Sequence, residues 1–352
     1  GLGDVYKRQR YTSFYRDGKM RNGQFADNSF GKSETQTFFD PGIKAGITYK
    51  ATGRHVLFAN TVYETRAPFF RNAYISPRTR DQVAPNLVSE KIHGLEGGYV
   101  FRSPYAKVNV VGYYTTFKDQ TRTMSFYHDE QRTFVNYSLT GIDKRHMGVE
   151  IGSRVQVVPS FSVSANASIG EYIYTNRPTA TVTQDNNSEA LQTETVYAKN
   201  FHVGGTPEMA YTFGLHYSSP KYWFINLNFN YTDRLWIQHN PARRTLSATE
   251  GVDPESPEWN QIIEQEQVDG AFTMNLFGGY SWKIDNTFKD MKKSMYLAVF
   301  LGINNITNNR DAISNGYEQL RFDFLGKVVD RFPSKYYYGL GTNYFLNVVW
   351  RY

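Results

Sequence analysis

The stretch YWFINLNFNYTDR, Tyr222 to Arg234, carries Trp223, Ile225, Leu227, Phe229 and Tyr231 at one set of alternate positions and Asn226, Asn228, Asn230 and Thr232 at the other. A period of two sends successive side chains to opposite faces of a sheet, so this segment separates an aliphatic and aromatic face from an amide face. The same rule sets Phe161, Val163, Ala165, Ala167 and Ile169 against Ser162, Ser164, Asn166 and Ser168, and Met209, Tyr211, Phe213, Leu215 and Tyr217 against Ala210, Thr212, Gly214 and His216. Phe272, Met274, Leu276, Tyr280 and Trp282 repeat it, as do Met295, Leu297, Val299, Leu301 and Ile303. A last stripe runs through Tyr336, Tyr338, Leu340, Tyr344, Leu346, Val348, Trp350 and Tyr352. With the less regular segments 43–50, 55–65, 92–101, 107–117 and 134–156, the chain reads as about eleven strands. No run approaches the ~18 consecutive apolar residues of a membrane-crossing helix, which excludes a helical membrane protein.

The connections sort by length. Tight ones, ATGR at 51–54, RSPY at 102–105, VVPS at 157–160 and SSPK at 218–221, each hold the Gly or Pro that a turn favours. Long polar ones, 67–89, 118–133, 175–206, 233–267 and 307–335, alternate with them, and DNTFKDMKKS at 285–294 is a medium-length member of the short series. In an up-and-down antiparallel sheet alternate connections lie at opposite ends, so one end has turns and the other has long loops. That asymmetry is the mark of a transmembrane β-barrel in an outer membrane, and a soluble Greek-key sandwich has no reason to sort its loops this way. Tyr and Trp sit at stripe ends and aliphatic residues inside, as interfacial girdles require, and a tilted strand of about ten residues crosses the hydrocarbon layer. The apolar face of Tyr222–Arg234 is therefore expected to meet lipid and its asparagines a wet lumen.

Composition removes other classes. The 352 residues contain no cysteine, so neither a disulfide framework nor thiol chemistry is available. A formal charge of +6 spread without a polybasic block gives no footprint for nucleic acid. The seven histidines, His55, His93, His128, His146, His202, His216 and His239, lack metal-ligand spacing. No nucleophile elbow or phosphate loop is present, so neither enzyme, cofactor nor metal is expected. The first residues, GLGDVYKRQ, read as foreign to the fold, so residues 1–37 are expected to be a tag-like segment plus an extracellular loop and residues 38–352 the barrel portion.

The carboxyl-terminal SKYYYGLGTNYFLNVVWRY resembles the last strand of TonB-dependent outer-membrane receptors. ETRAPFF at 64–70, NLVSEKIHGLEGGYVF at 86–101, YYTTFKDQT at 113–121, GVEIGSRVQVVPSFSVSANASIGEY at 148–172 and LGINNITNNRDAISNGYEQLRFD at 301–323 are similar to that family in the expected order. The resemblance implies a carboxyl-terminal half of a barrel of about 22 strands. It also implies outer-membrane lipid, the barrel assembly machinery and, through an amino-terminal region not in this chain, the TonB complex as partners. The function implied is capture of a scarce ligand, a siderophore, glycan, peptide or vitamin, for energised uptake. A non-transporting surface barrel, an adhesin or assembly protein, is the alternative. Leu346, Val348, Trp350 and Tyr352 resemble the assembly signal at the end of such barrels.

Candidate ligand contacts lie in two long loops. Trp236, His239, Arg243, Arg244 and Trp259 occupy one, and Arg71, Arg78 and Arg80 the other. Aromatic faces stack on sugar rings and Arg forks grip carboxylate or catecholate-type anions. The segment TVTQDNNSEALQTET at 181–195, polar and poor in aromatics, is expected to be mobile.

Overall fold

The computed structural model describes residues 2–20, 25–76, 78–129, 131–284 and 295–351, except for the side chains of residues 2 and 188–191. Twelve strands form one continuous sheet: β1 (Leu2–Phe14), β2 (Gln36–Lys50), β3 (His55–Arg66), β4 (Glu90–Arg102), β5 (Ala106–His128), β6 (Thr133–Val158), β7 (Phe161–Tyr174), β8 (Pro207–Ser218), β9 (Trp223–Trp236), β10 (Ala271–Lys283), β11 (Tyr296–Asn304) and β12 (Asn343–Arg351). Each pairs antiparallel with its neighbours in chain order, and β1 does not meet β12, so the sheet is an open up-and-down meander. Among the described residues no helix is long and apolar enough to cross a membrane.

Register joins the stripes into one face. Tyr211, Phe213, Leu215 and Tyr217 of β8 stand opposite Tyr231, Phe229, Leu227 and Ile225 of β9, which stand opposite Phe272, Met274, Leu276 and Gly278 of β10. Ring contacts follow from this pairing: Phe213 and Phe229 centroids are 6.2 Å apart, and Tyr217 and Trp223 4.9 Å. Trp223, Ile225 and Tyr231 are exposed on that face. The other face holds the polar ladder, in which Thr212 Oγ1 donates to Asn230 Oδ1 at 3.1 Å, and His216 bridges Asn226 Oδ1 at 3.0 Å and Ser164 Oγ at 2.9 Å.

That polar face is not polar throughout. Phe224, Phe277, Phe300 and Phe345 meet on it, with centroid distances of 5.4 Å for Phe224–Phe277 and 6.1 Å for Phe277–Phe345. Two strand glycines make the room. A Cβ at Gly302 would sit 2.2 Å from the Phe345 ring, and one at Gly279 2.5 Å from Phe300. A ring lying over a neighbouring glycine covers backbone that a side chain would otherwise shield.

The tight connections at 51–54, 103–105, 159–160 and 219–222 all fall at one end of the sheet and the long ones at the other. The turn expected at 285–294 lies outside the described residues, as does Tyr352. Several boundaries differ from the sequence reading. Leu2–Phe14 forms an edge strand through residues read as foreign, which makes twelve strands rather than about eleven; pairing does not bear on the origin of those residues. The expected loop at 118–133 is mostly strand, since β5 runs on to His128 and β6 begins at Thr133, the two forming a ribbon. Thr179–Gln184 and Asn187–Thr195 form a hairpin docked on that ribbon, with Val182 and Thr183 buried, so this segment is paired strand where the sequence reads as a polar loop. The last stripe is split: Lys335–Tyr338 pairs with Ile313–Tyr317 in a separate two-stranded sheet, and only Asn343–Arg351 joins the large one.

The two faces of β9 should tolerate charge unequally. In a full-length protein refolded into lipid, Ile225→Arg is expected to cost about 2–4 kcal/mol, and Asn228→Arg much less, because the first places a guanidinium in hydrocarbon. Refolding equilibria that report equal costs would refute the assignment of faces.

Candidate functional site

At the long-loop end the strands leave the regular sheet and build a second, internal core. Met124, Phe126, Val135, Tyr137 and Leu139 of the β5–β6 ribbon pack with Tyr174, Val182 and Val196. Thr123 Oγ1 donates to the Asn72 and Tyr74 carbonyls at 3.2 and 3.3 Å, tying the 67–89 loop to the ribbon. A short helical unit, Pro241–Arg244 followed by Leu246–Thr249 and Pro257–Ile263, closes the other side, its turns capped by Asn240, Thr245 and Ser256.

Arg244 is the centre of that closure. Its side chain is fully buried and donates to both Glu318 oxygens, to the Asn240 carbonyl at 3.1 Å and to the Ile263 carbonyl at 3.3 Å. Arg243 donates to the Gln261 and Ile262 carbonyls at 2.8 and 3.2 Å and lies 3.3 Å from Glu318. Burial lowers Arg243 to about 10, with Glu318 opposing the shift. These contacts fix the 237–270 loop against the 305–342 loop. A buried ion pair of this kind is a positional constraint more than a source of stability.

The sequence candidates thus divide into three groups. Arg243, Arg244 and Arg80 are held by the protein's own acceptors: Arg80 donates to the Gln184 carbonyl at 3.0 Å and to that of Asn187, and lies 4.3 Å over the Phe25 ring. Arg78 pairs off-axis with Asp185 at 2.8 Å and covers the Phe134 ring at 3.9 Å. Trp236 stacks on His202 at 4.1 Å with the planes 5° apart, and Trp259 is half-buried on the short helix. Arg71 and His239 alone of the eight line a common cavity.

That cavity, about 710 Å³, opens between the 67–89 loop, the β5–β6 ribbon and the loop containing His239. Its walls come from a double register shift, in which Gln120 pairs with Ile142 but Arg122 with Leu139, while Asp119 and Gly141 take positive φ of 61° and 67°. Such bulges bend a ribbon and re-aim its side chains. Here Arg122 and Lys144 line the cavity together with Arg71, His239 and Tyr174. The rim carboxylates are already engaged: Glu90 accepts from Arg66 at 2.6 Å and from Gln120, and Asp119 pairs with Lys91 at 2.7 Å. Arg71, Arg122 and Lys144 have no carboxylate partner among the described residues. Arg122 meets instead the Gln238 side-chain carbonyl, and Lys144 lies 5.2 Å over the Tyr174 ring. Sequence reasoning missed Arg122 and Lys144 because each sits inside what reads as strand or ordinary loop; only the bulge brings them together.

A family model described as TonB dependent receptor-like, beta-barrel matches residues 8–306. The chain belongs to that family. Solved structures similar to this receptor barrel include the copper transporter OprC, with TM-score 0.61 and 14% identity over 98% of this chain and 44% of that one. The siderophore receptor PiuA from Acinetobacter baumannii follows, with TM-score 0.56 and 12% identity over 93% and 38%. The ferric-catecholate import receptor Fiu from E. coli K12 gives 0.54 and 13% over 99% and 41%. At such identities the likeness shows the fold alone, and this receptor barrel spans less than half the length of each. No curated protein matches the sequence.

His239 gives the loop assembly of this receptor barrel a pH dependence. His239 is 6% exposed, its ring stands edge-on to Tyr174 and Phe201 at 5.0 and 5.3 Å, and its Nδ1 has no hydrogen-bond partner among the described residues. Burial first, then Arg244, Arg122 and Lys144, hold it well below the usual 6.5. An opened loop would restore the ordinary imidazole and bind a proton that the closed form rejects. Stability of the closed form is therefore fully present above about 6.5 and falls as pH drops through that value. Asp129, lowered by its hydrogen bond from Arg321, titrates at still lower pH and leaves this window to histidine. Protection factors of the 237–245 amides, that is, exchange rates corrected for their intrinsic pH dependence, should fall between pH 7.5 and 5.5, and His239→Phe should flatten that response. A profile identical in the variant would remove His239 as its source.

Proposed function

We propose that the chain is the ligand-receiving barrel portion of an integral outer-membrane receptor of a Gram-negative bacterium, which captures a scarce ligand at its loops and lumen for TonB-energised uptake. The observation that carries this reading is the cavity between the loop assembly and the polar face: it lies where a ligand arriving from the loop side would first meet the barrel. Membership of the TonB-dependent receptor-like barrels supports the transport class. The similar structures, a copper transporter, a siderophore receptor and a ferric-catecholate import receptor, suggest the first probes. Loop residues His239 and Arg71 serve as ligand contacts in this reading, with Trp236 and Trp259 as further aromatic surfaces and the buried arginines as their frame.

The test is accumulation in cells producing the full-length protein. Copper ions, a catecholate chelate of labelled iron and a maltooligosaccharide would each be offered with and without a protonophore. Accumulation of at least one probe above that in cells lacking the protein, abolished by the protonophore while surface binding persists, is the expected result. Binding without energy-dependent accumulation would favour a non-transporting surface barrel.

Partnership with the barrel assembly machinery is proposed through the final stripe Leu346, Val348, Trp350 and Tyr352. Leu346, Val348 and Trp350 lie exposed on the apolar face of β12. Any lipid-facing strand needs such a face, so a recognition role must show itself at the last aromatic. Deletion of Tyr352 should lower the amount of folded protein in cells while refolding in detergent proceeds, whereas Leu346→Ala should affect both alike. Parallel losses in the two assays for both variants would reduce the stripe to lipid contact.

A further inference from the structure

The cavity combines features that the family assignment does not supply. Among the described residues, three cations line it without a carboxylate within ion-pair distance, Arg71 at the mouth and Arg122 and Lys144 on the bulged ribbon. Two carboxylates line the same space, Glu90 and Asp119, and are engaged by Arg66 and Lys91. A nine-tenths-buried histidine, His239, lines the same space with a ring nitrogen that has no hydrogen-bond partner among the described residues. Phe69 lines the mouth and is itself exposed. Like charges gathered around one low-dielectric space repel each other, and a fold keeps such an arrangement where an opposite charge is to be placed. Guanidinium and ammonium groups bind carboxylate and phosphate oxygens by charge-assisted hydrogen bonds, and a neutral imidazole adds one donor and one acceptor for a hydroxyl.

We infer that this cavity is an oxyanion site, whose ligand is a soluble, multiply charged carboxylate or phosphate compound small enough for about 710 Å³, held by Arg122 and Lys144 with Arg71 at the entrance. The inference rests on the receptor reading and deepens it by naming the ligand's chemical class. A neutral sugar or a bare metal cation would leave these charges uncompensated. Lys144 and His239 both adjoin the Tyr174 ring, so a planar or hydroxylated portion of the ligand would lie on that side.

The measurement is calorimetric titration of the detergent-solubilised full-length protein with citrate, inorganic pyrophosphate, raffinose and spermine. Saturable binding of citrate or pyrophosphate, and none of raffinose or spermine, is expected. Loss of one charge-assisted contact should weaken binding roughly tenfold in Arg122→Gln and in Lys144→Gln. Lys144→Arg should keep most of the affinity, and Lys107→Gln, at the turn end of β5, should leave it unchanged. Heat-modifiable migration identifies variants that remain folded, and only those are compared. The site is refuted if neither anion saturates, if the two Gln variants bind as the parent does, or if Lys107→Gln weakens binding equally. The transport reading fails separately: anion binding that depends on Arg122 and Lys144 can persist in a protein that accumulates nothing.

Discussion

Backbone satisfaction is the constraint on which the rest of this molecule depends. In hydrocarbon no water is present to bond N–H and C=O groups, so each must find a partner inside the protein, and a sheet provides them only sideways. That fixes antiparallel neighbours in chain order, and it leaves the side-chain period of two as the only freedom along each strand. The pairing of Tyr211 with Tyr231, and of Tyr231 with Phe272, then follows from the need to keep one unbroken apolar face. A shift by one residue would turn every stripe over. The polar face, relieved of that demand, carries Asn–Thr and His–Ser–Asn hydrogen bonds and even a ring cluster seated on glycine.

At the long-loop end the apolar outer face stops and the rules become those of a soluble protein. There the same strands fold over a conventional core, in which Tyr137, Val182 and Val196 are buried and the loops are joined by ion pairs with little exposure. Arg244 shows the change of regime most clearly. Its charge is compensated by Glu318 and three carbonyls, so its effect is to fix the relation of two loops, and the cavity beside it inherits a defined shape.

This difference explains what could be read in the sequence. The stripes of β8, β9, β10 and β11 were legible because a sheet with one continuous apolar face repeats strictly at every second position, and the alternation of turns and loops separated the two ends of the sheet. The 118–133 and 181–195 segments were not, because strands in water need no apolar face and their polar residues imitate loops. Phe224 was missed on the polar face for a related reason: a ring there breaks the alternation of the stripe, and its partners Phe277 and Phe300 lie on the next two strands, whose register the sequence does not give. Among the loop candidates, Arg243 and Arg244 looked like ligand forks because sequence gives no sign of Glu318, about seventy residues away, whose oxygens they approach.

Arg122 and Lys144 stand at the junction of the two regimes, and their position accounts for the cavity. A ribbon that keeps regular register alternates its faces without interruption and offers no place where a lumenal and a loop residue can converge. The shifts at Gln120–Ile142 and Arg122–Leu139 break that alternation just where β5 and β6 pass from the sheet into the loop core. The break costs ladder hydrogen bonds, which water or side chains can replace only outside hydrocarbon. The Asp119 N–H is in fact taken by Asp143 Oδ1 at 2.9 Å, and Asn176 donates to the Gly141 carbonyl at 2.6 Å. A ligand space lined by strand cations therefore belongs at this level of the structure: lower, the broken ladder could not be satisfied, and higher, the ribbon has already been covered by its hairpin and the short helical unit.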